Sequence, residues 1–142
     1  MNQSAFFQLS PRLQEGIAHT LGWSALRPVQ ELTIPAVLAG QNCLVLAPTA
    51  GGKTEAAFFP ILDVVYRGQL EPVCALYVSP LRALLNNQEP RLLQLASLVG
   101  ATAFKWHGDV DQTHCPGKYF SMWKLKRQIR ALRSTSAVSC FF

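Results

Sequence analysis

An octapeptide in the first half of the chain combines the residue types that hold phosphate groups. It reads Ala47-Pro48-Thr49-Ala50-Gly51-Gly52-Lys53-Thr54. Glycines let backbone N–H groups turn towards an anion, and the start of a following helix adds the positive end of its dipole. In such a loop Lys53 reaches the β and γ phosphates, and the Thr54 hydroxyl ligates magnesium. The octapeptide therefore predicts a nucleotide-phosphate and magnesium site, with Lys53 and Thr54 as its catalytic residues.

The general phosphate-loop pattern has glycine where Ala47 stands, which leaves an ordinary glycine-rich turn with a solvated lysine as the alternative. The flanking sequence favours the phosphate site. An unbroken apolar run, 43–47, precedes the loop as a buried strand would, and a helical pattern follows it at once. A strand that leads through such a loop into a helix is the arrangement that phosphate binding requires.

The rest of the chain alternates apolar runs with helical patterns. Three apolar runs have the composition of buried parallel strands: 43–47, 73–78 and 102–106. Helical patterns occupy four stretches: 10–22, 28–40, 55–68 and 80–99. Ser10 and Pro11 are expected to open the first helix, and Pro35 to kink or break the second. The alternation predicts an α/β domain with a parallel sheet and flanking helices.

The octapeptide is similar to motif I of superfamily 2 helicases, which carry alanine at the position of Ala47. Residues upstream resemble the Q motif of DEAD-box and related helicases: Phe7, Leu9, Leu21-Gly22-Trp23, Arg27-Pro28-Val29-Gln30 and Ile34-Pro35. This resemblance implies that ATP is the nucleotide and that Gln30 recognises its adenine. A side-chain amide suits that role because it offers a donor and an acceptor together. Outside such a motif, a lone helical glutamine is more often a surface residue.

Downstream, Ser79-Pro80-Leu81-Arg82-Ala83-Leu84 resembles motif Ia, with which these helicases contact the nucleic-acid backbone. The resemblance implies that Pro80 and Arg82 bind DNA or RNA, since a guanidinium and helix-start amides hold phosphate without reading sequence. A surface ion pair is the alternative role for Arg82. Together with Trp106-His107-Gly108-Asp109, these motifs are most similar to the large helicase-related, Lhr-like branch. They imply an ATP-dependent DNA or RNA helicase with a P-loop NTPase, RecA-like fold.

The resemblance covers residues 6–111 and does not include the Asp-Glu pair with which such motors hold magnesium and orient water. The sequence contains no Asp-Glu dipeptide. We therefore expect 1–111 to be the N-terminal part of an incomplete RecA-like domain, truncated before its hydrolytic half and lacking the second lobe. Such a chain should bind ATP without hydrolysing it. A sheet edge left unpaired also predicts marginal stability and aggregation.

The net charge of +5 comes from the end of the chain. Residues 1–112 carry seven Lys/Arg and eight Asp/Glu, whereas 113–142 carry six Lys/Arg and no acid. The tail 112–142 is of doubtful origin: it is a frameshifted segment, a helix packed on the sheet, or a basic helical stripe for an anionic partner or membrane surface. The last interpretation gives an alternative function, a non-catalytic nucleotide- or partner-binding module. No apolar run is long enough to span a membrane, so we expect a cytoplasmic protein.

Deleting 113–142 separates these two functions. If the octapeptide carries the function, binding of a fluorescent ATP analogue survives the deletion, because every predicted contact lies before residue 113. If the tail carries it, binding is lost. The measurement is a titration by fluorescence anisotropy on the whole and shortened chains.

Overall fold

The computed structural model describes residues 4–68 and 75–103. The elements there are helical: a 3₁₀ turn Ala5–Gln8, α1 Pro11–Glu15 with a π-helical continuation Gly16–Thr20, α2 Pro28–Leu38, α3 Lys53–Gly68 and α4 Arg82–Ser97. Each of the four predicted helices is confirmed, and α3 begins within the phosphate loop itself. Among the described residues, no helix is both long and apolar enough to cross a membrane.

Proline begins two of these helices. Pro11 and Pro28 are the first residues of α1 and α2, where an N–H would have no helical acceptor. Ser10 precedes α1 as expected, but its side chain makes no capping hydrogen bond, and its hydroxyl has no partner among the described residues. The predicted break at Pro35 is wrong, because α2 continues to Leu38. Burial of the face that contains Ile34 offsets the one backbone hydrogen bond that proline removes.

The predicted parallel sheet is not confirmed. Within 4–68 and 75–103 no residue is assigned to a strand, although the run 43–47 is not helical. Leu44 and Leu46 are 76% and 81% exposed while Val45 between them is half-buried, so side chains alternate in exposure, but no described residue pairs with this run as a strand. A strand needs a partner's N–H and C=O groups. The ends of the other two predicted strands, 73–74 and 104–106, lie outside the described residues.

The hydrophobic core joins the N-terminal elements to α3 and α4. Its buried members are Ala5, Leu9, Leu13, Ile17, Ile34, Phe59, Leu62, Leu95, Ala96 and Leu98. Phe59 of α3 is fully buried and meets Trp23 edge-on, with ring centroids 5.8 Å apart. This packing fixes α3 along its length, while the first residues of α3 remain at the surface of a cavity.

A buried carboxylate on α3 holds the segment before α1. Asp63 Oδ1 accepts a hydrogen bond from the Ser10 N–H at 2.6 Å. Asp63 Oδ2 lies 2.7 Å from Arg67 Nε, within ion-pair range but not aligned as a hydrogen bond. Arg67 also donates to the Gln8 carbonyl at 2.6 Å. These contacts attach the N-terminal segment to the helix that begins at the phosphate loop.

A second carboxylate, Glu31, attaches the start of the described chain to α2. It accepts hydrogen bonds from the Ser4 hydroxyl and the Ala5 N–H, both at 2.6 Å. Glu31 directly follows Gln30. The 3₁₀ turn therefore fixes the helix turn that presents the predicted adenine contact.

The packing of α4 is tested by two leucines of the same helix. Leu95 is 2% exposed, whereas Leu93 is 43% exposed. Leu95→Ala should lower the free energy of unfolding by about 2–5 kcal/mol, because it removes buried methyl groups and leaves a cavity. Leu93→Ala should change it by about 0.5 kcal/mol or less. Urea denaturation followed by circular dichroism measures both; equal costs would mean that α4 is not packed on this core.

Candidate functional site

The phosphate loop turns sharply between residue 48 and the start of α3. Ala50 and Gly52 have φ angles of 62° and 87°, and the Gly51 N–H donates to the Pro48 carbonyl at 2.9 Å. A Cβ on Gly51 would lie 2.8 Å from the Pro48 oxygen. Glycine is therefore required at Gly51 for space and favoured at Gly52 for its left-handed backbone.

The lysine of the loop is held by its own backbone. Lys53 Nζ donates to the Ala47 carbonyl at 2.7 Å and to the Pro48 carbonyl at 2.9 Å. Lys53 is the first residue of α3 and Thr54 the second, so both stand where helix N–H groups lack helical acceptors. The carbonyl oxygens of Ala47 and Pro48 therefore hold the ammonium group of Lys53 at the loop, where a phosphate group would compete for it as a charged acceptor.

Gln30 lies directly against the phosphate loop. It is fully buried, its Oε1 accepts from the Arg27 N–H at 2.9 Å, and its Nε2 lies 3.4 Å from the Gly52 carbonyl oxygen, to which it donates. A Cβ on Gly52 would lie 2.7 Å from Gln30 Nε2. The structure therefore brings the predicted adenine residue and the predicted phosphate residues together. Without nucleotide, the Gln30 amide is occupied by backbone groups.

Arg27 is a site residue to which the motif analysis assigned no role. Its guanidinium Nη1 donates to the Ala50 carbonyl, and its Cδ would lie 3.0 Å from a Cβ on Gly52. It is also the N-cap of α2. The sequence shows that Arg27 lies close to Gln30 along the chain. It gives no signal for the contact with Ala50, which is 23 residues away.

A cavity of about 490 Å³ opens beside the loop. Its walls come from three places: the loop 49–54, the residues Trp23 and Arg27, and the segment that runs from Tyr77 into α4. Partial burial raises the pKa of the Tyr77 phenol above its ordinary value of 10.0, so this hydroxyl stays neutral at physiological pH. The predicted nucleotide residues 49–54 therefore share one cavity with the start of the predicted nucleic-acid segment.

The two predicted nucleic-acid residues occupy different positions. Pro80 lines the cavity, whereas Arg82 is the exposed first residue of α4. Two further residues of the wall, Glu55 and Arg91, form an ion pair that the motifs did not indicate. Nothing in their spacing signals a contact between helices.

The geometry of the loop fits the phosphates of ATP. Gly51 and Gly52 have no side chains that would block an approaching anion, and the N–H groups in the first turn of α3 have no helical acceptors. Thr54 would supply one hydroxyl ligand to magnesium beside those phosphates. Within the described ranges, no group of three or more His, Cys, Asp or Glu side chains could hold a metal by itself. The basic tail 112–142 lies outside the described residues.

A family model described as the DEAD/DEAH box helicase matches residues 27–129, which cover the loop, Gln30 and the segment at Arg82. This chain belongs to the DEAD/DEAH box helicase family. The match defines a P-loop fold of the RecA-like type and continues beyond residue 111, where the recognised motifs end.

Known relatives agree with the predicted likeness to the Lhr-like branch. The ATP-dependent helicase Lhr-Core of Sulfolobus acidocaldarius is 40% identical over 77 residues, which cover 51% of this chain and 9% of the relative. Lhr-Core of Saccharolobus solfataricus is 42% identical over 77 residues, again 51% of this chain and 9% of the relative. The probable ATP-dependent RNA helicase DDX52 of Rattus norvegicus is 33% identical over 101 residues, 71% of this chain and 16% of the relative. The chain thus matches a small part of each relative, and no solved structure matches it.

Two glycines with similar backbones test the loop. Gly52 and Gly40 have φ angles of 87° and 74°, but an added Cβ meets Gln30 and Arg27 only at Gly52 and open space at Gly40. Alanine costs about 1–2 kcal/mol of backbone strain at either position. Gly52→Ala should weaken binding of a fluorescent ATP analogue by about tenfold or more, since one displaced polar contact of about 1.4 kcal/mol accounts for that factor. Gly40→Ala should leave the affinity unchanged; an equal loss in both variants would mean that strain alone is responsible.

Proposed function

We propose that this chain is an ATP-binding part of an ATP-dependent DNA or RNA helicase. The observation that carries the proposal is the contact of Gln30 with Gly52. It places the side-chain amide of Gln30 beside the loop whose residues 49–54 line the cavity. Lys53 and the first-turn N–H groups of α3 bind the phosphates, and Thr54 binds magnesium. Membership of the helicase family and the names of the relatives support this assignment.

Adenine recognition requires the fully buried amide of Gln30, which is not among the residues lining the cavity, to become accessible. The Gln30 Nε2 to Gly52 contact is 3.4 Å long, near the limit of a hydrogen bond, so exchanging it for an adenine acceptor costs little. Oε1 keeps a second lone pair while it accepts from Arg27. It can therefore accept from an adenine amino group without uncapping α2.

The binding steps follow from the same contacts. When phosphates enter, Lys53 exchanges the Ala47 and Pro48 carbonyl oxygens for phosphate oxygens, an exchange of neutral acceptors for charged ones that favours the bound state. The carbonyl of Ala50 stays with Arg27, which prevents that part of the loop from turning towards the phosphates. Thr54 would hold magnesium beside the phosphates, and the metal would balance part of their charge.

Nucleic acid is proposed to bind at the start of α4. Arg82 is exposed there, and the N–H groups of the first turn of α4 add the positive end of a helix dipole. Such a surface binds the phosphates of a nucleic-acid strand whatever its base sequence, which a translocating motor needs. Backbone contacts of this kind serve DNA and RNA alike.

We further propose that 43–47 and 73–78 are adjacent parallel strands in the complete RecA-like domain. Their exposed leucines and valine, Leu44, Leu46, Leu76 and Val78, have the alternating pattern that a sheet covers. We also propose that this chain binds ATP without turning it over, because such motors hold magnesium and orient water with an Asp-Glu pair that its sequence does not contain.

Binding of a fluorescent ATP analogue with magnesium tests the proposed function. Lys53→Ala should abolish measurable binding, because it removes the cation for two phosphates. Gln30→Glu keeps the acceptor that caps α2 but replaces the donor by a second acceptor, so it should reduce the preference for ATP over GTP by about tenfold, or about 1.4 kcal/mol. Phosphate release should stay at background with and without nucleic acid.

The matched control is Gln41→Ala, at an exposed glutamine beyond the end of α2. It should bind the analogue like the unchanged chain. Binding that Lys53→Ala does not weaken would contradict the phosphate role of the loop. Binding that is equally strong for ATP and GTP in the unchanged chain would contradict adenine recognition by Gln30.

A further inference from the structure

A buried ion pair connects the helix of the phosphate loop to the helix that begins at Arg82. Glu55, in the first turn of α3, is 1% exposed, and its Oε1 contacts both Nε and Nη2 of Arg91. Arg91 is on α4, and its side chain is 50% exposed. Glu55 directly follows Thr54. One end of this pair therefore adjoins the nucleotide site, and the other is on the helix of the proposed nucleic-acid contact.

The pair is constrained by the burial of Glu55. A carboxylate removed from water is costly unless a cation and hydrogen bonds compensate it. Glu55 Oε2 has no hydrogen-bond partner among the described residues, so the contact of Oε1 with Arg91 supplies the compensation that the structure shows. A guanidinium that presents two nitrogens to one oxygen also holds its orientation better than a single ammonium would. Separation of Glu55 from Arg91 would leave the buried carboxylate without this compensation.

The cavity places both helices around the same space. Thr54 and Glu55 form one side of its wall, and Gln88 and Arg91 of α4 form another. Gln88 Oε1, like Glu55 Oε2, is a buried oxygen without a partner among the described residues. Each of the two helices therefore contributes to the cavity wall a residue with a buried oxygen that no described residue satisfies.

We infer that Glu55 and Arg91 are positioning residues that couple nucleotide binding at the phosphate loop to nucleic-acid binding at Arg82. Phosphates draw Lys53 away from its backbone acceptors and shift the first turn of α3, which carries Glu55. Arg91 follows Glu55, and α4 changes the orientation of its first residue, Arg82. The inference rests on the proposed function and adds to it an ion pair between the two helices in the wall of the cavity.

Such coupling is measurable because it is reciprocal. If nucleotide raises the affinity for nucleic acid by some factor, nucleic acid raises the affinity for nucleotide by the same factor. A coupling factor divides one dissociation constant by another from the same variant. A mutation that merely weakens a site changes both constants and leaves their ratio alone, whereas loss of the connection changes the ratio.

The experiment uses the full chain and a fluorescein-labelled single-stranded oligonucleotide, as oligothymidylate and as oligouridylate. Its dissociation constant is measured by anisotropy with and without saturating magnesium and a non-hydrolysable ATP analogue. We expect a coupling factor of about fivefold or more in the unchanged chain, the usual lower range for linked sites. In Arg91→Met the factor should fall to about one, because methionine keeps the apolar stem of arginine without its charge.

Two variants complete the design. Arg91→Lys keeps a positive charge near Glu55 but not the two-nitrogen contact, so its factor should lie between those of the unchanged chain and Arg91→Met. It also serves where Arg91→Met fails to fold, since it leaves no unpaired buried carboxylate. Arg12→Met is the matched control, because Arg12 pairs with Glu15 on α1 with side chains 52% and 65% exposed. It should retain the full factor.

The outcomes separate the inference from the function. An unchanged chain that binds both ligands without coupling, or folded Arg91 variants that keep its coupling factor, would overturn the inference and leave the proposed function standing. An unchanged chain that binds no nucleotide would overturn both. A graded loss from arginine through lysine to methionine, with Arg12→Met unaffected, would establish the pair as the connection.

Discussion

The first turn of α3 has to satisfy two opposed requirements, and much of the described structure follows from them. The proposed function requires its N–H groups and Lys53 to stay accessible to phosphate, while the remainder of the helix must be buried to hold that turn still. The second requirement is met by the edge-on contact of Phe59 with Trp23 and by the carboxylate of Asp63. The first is met by two glycines: at Gly51 the Pro48 carbonyl leaves no space for a Cβ, and at Gly52 the left-handed backbone favours glycine.

Three polar side chains at the loop bind its backbone carbonyl groups. Lys53 binds carbonyl oxygens, Gln30 donates to Gly52, and Arg27 donates to Ala50. Buried or half-buried polar groups that lacked these partners would be costly, so the loop uses its own backbone until a nucleotide offers charged acceptors. In the proposed function, nucleotide binding exchanges these backbone acceptors for groups of the nucleotide. Its specificity then depends on which of the present hydrogen bonds are weak enough to be replaced. The hydrogen bond from Gln30 to Gly52, at 3.4 Å, costs less free energy to break than the hydrogen bonds of Lys53, at 2.7 and 2.9 Å.

Among the residues that the structure describes, two charged side chains are buried, and each joins separate elements. Asp63 joins the N-terminal segment to α3, and Glu55 joins α3 to α4. Both carboxylates are nearly inaccessible to water while their arginine partners reach the surface. This arrangement lets the arginine retain part of its hydration, which lowers the cost of burying the pair. It also means that the relative placement of three segments depends on polar geometry as much as on apolar packing.

The sequence by itself determined the features whose cause is local. The four helices were predictable from cap residues, prolines and apolar spacing, and the phosphate loop from Gly51, Gly52 and Lys53, because backbone angles depend on the residues that adopt them. Motif resemblance added Gln30 correctly to the neighbourhood of the loop, although not the occupation of its amide by Arg27 and Gly52. Only the tertiary structure decided the contacts whose partners are distant along the chain: Arg27 with Ala50, Glu55 with Arg91, and the absence of strand pairing for 43–47 within the described residues. An apolar run shows that a segment can be buried, but its pairing depends on which neighbour folding brings beside it.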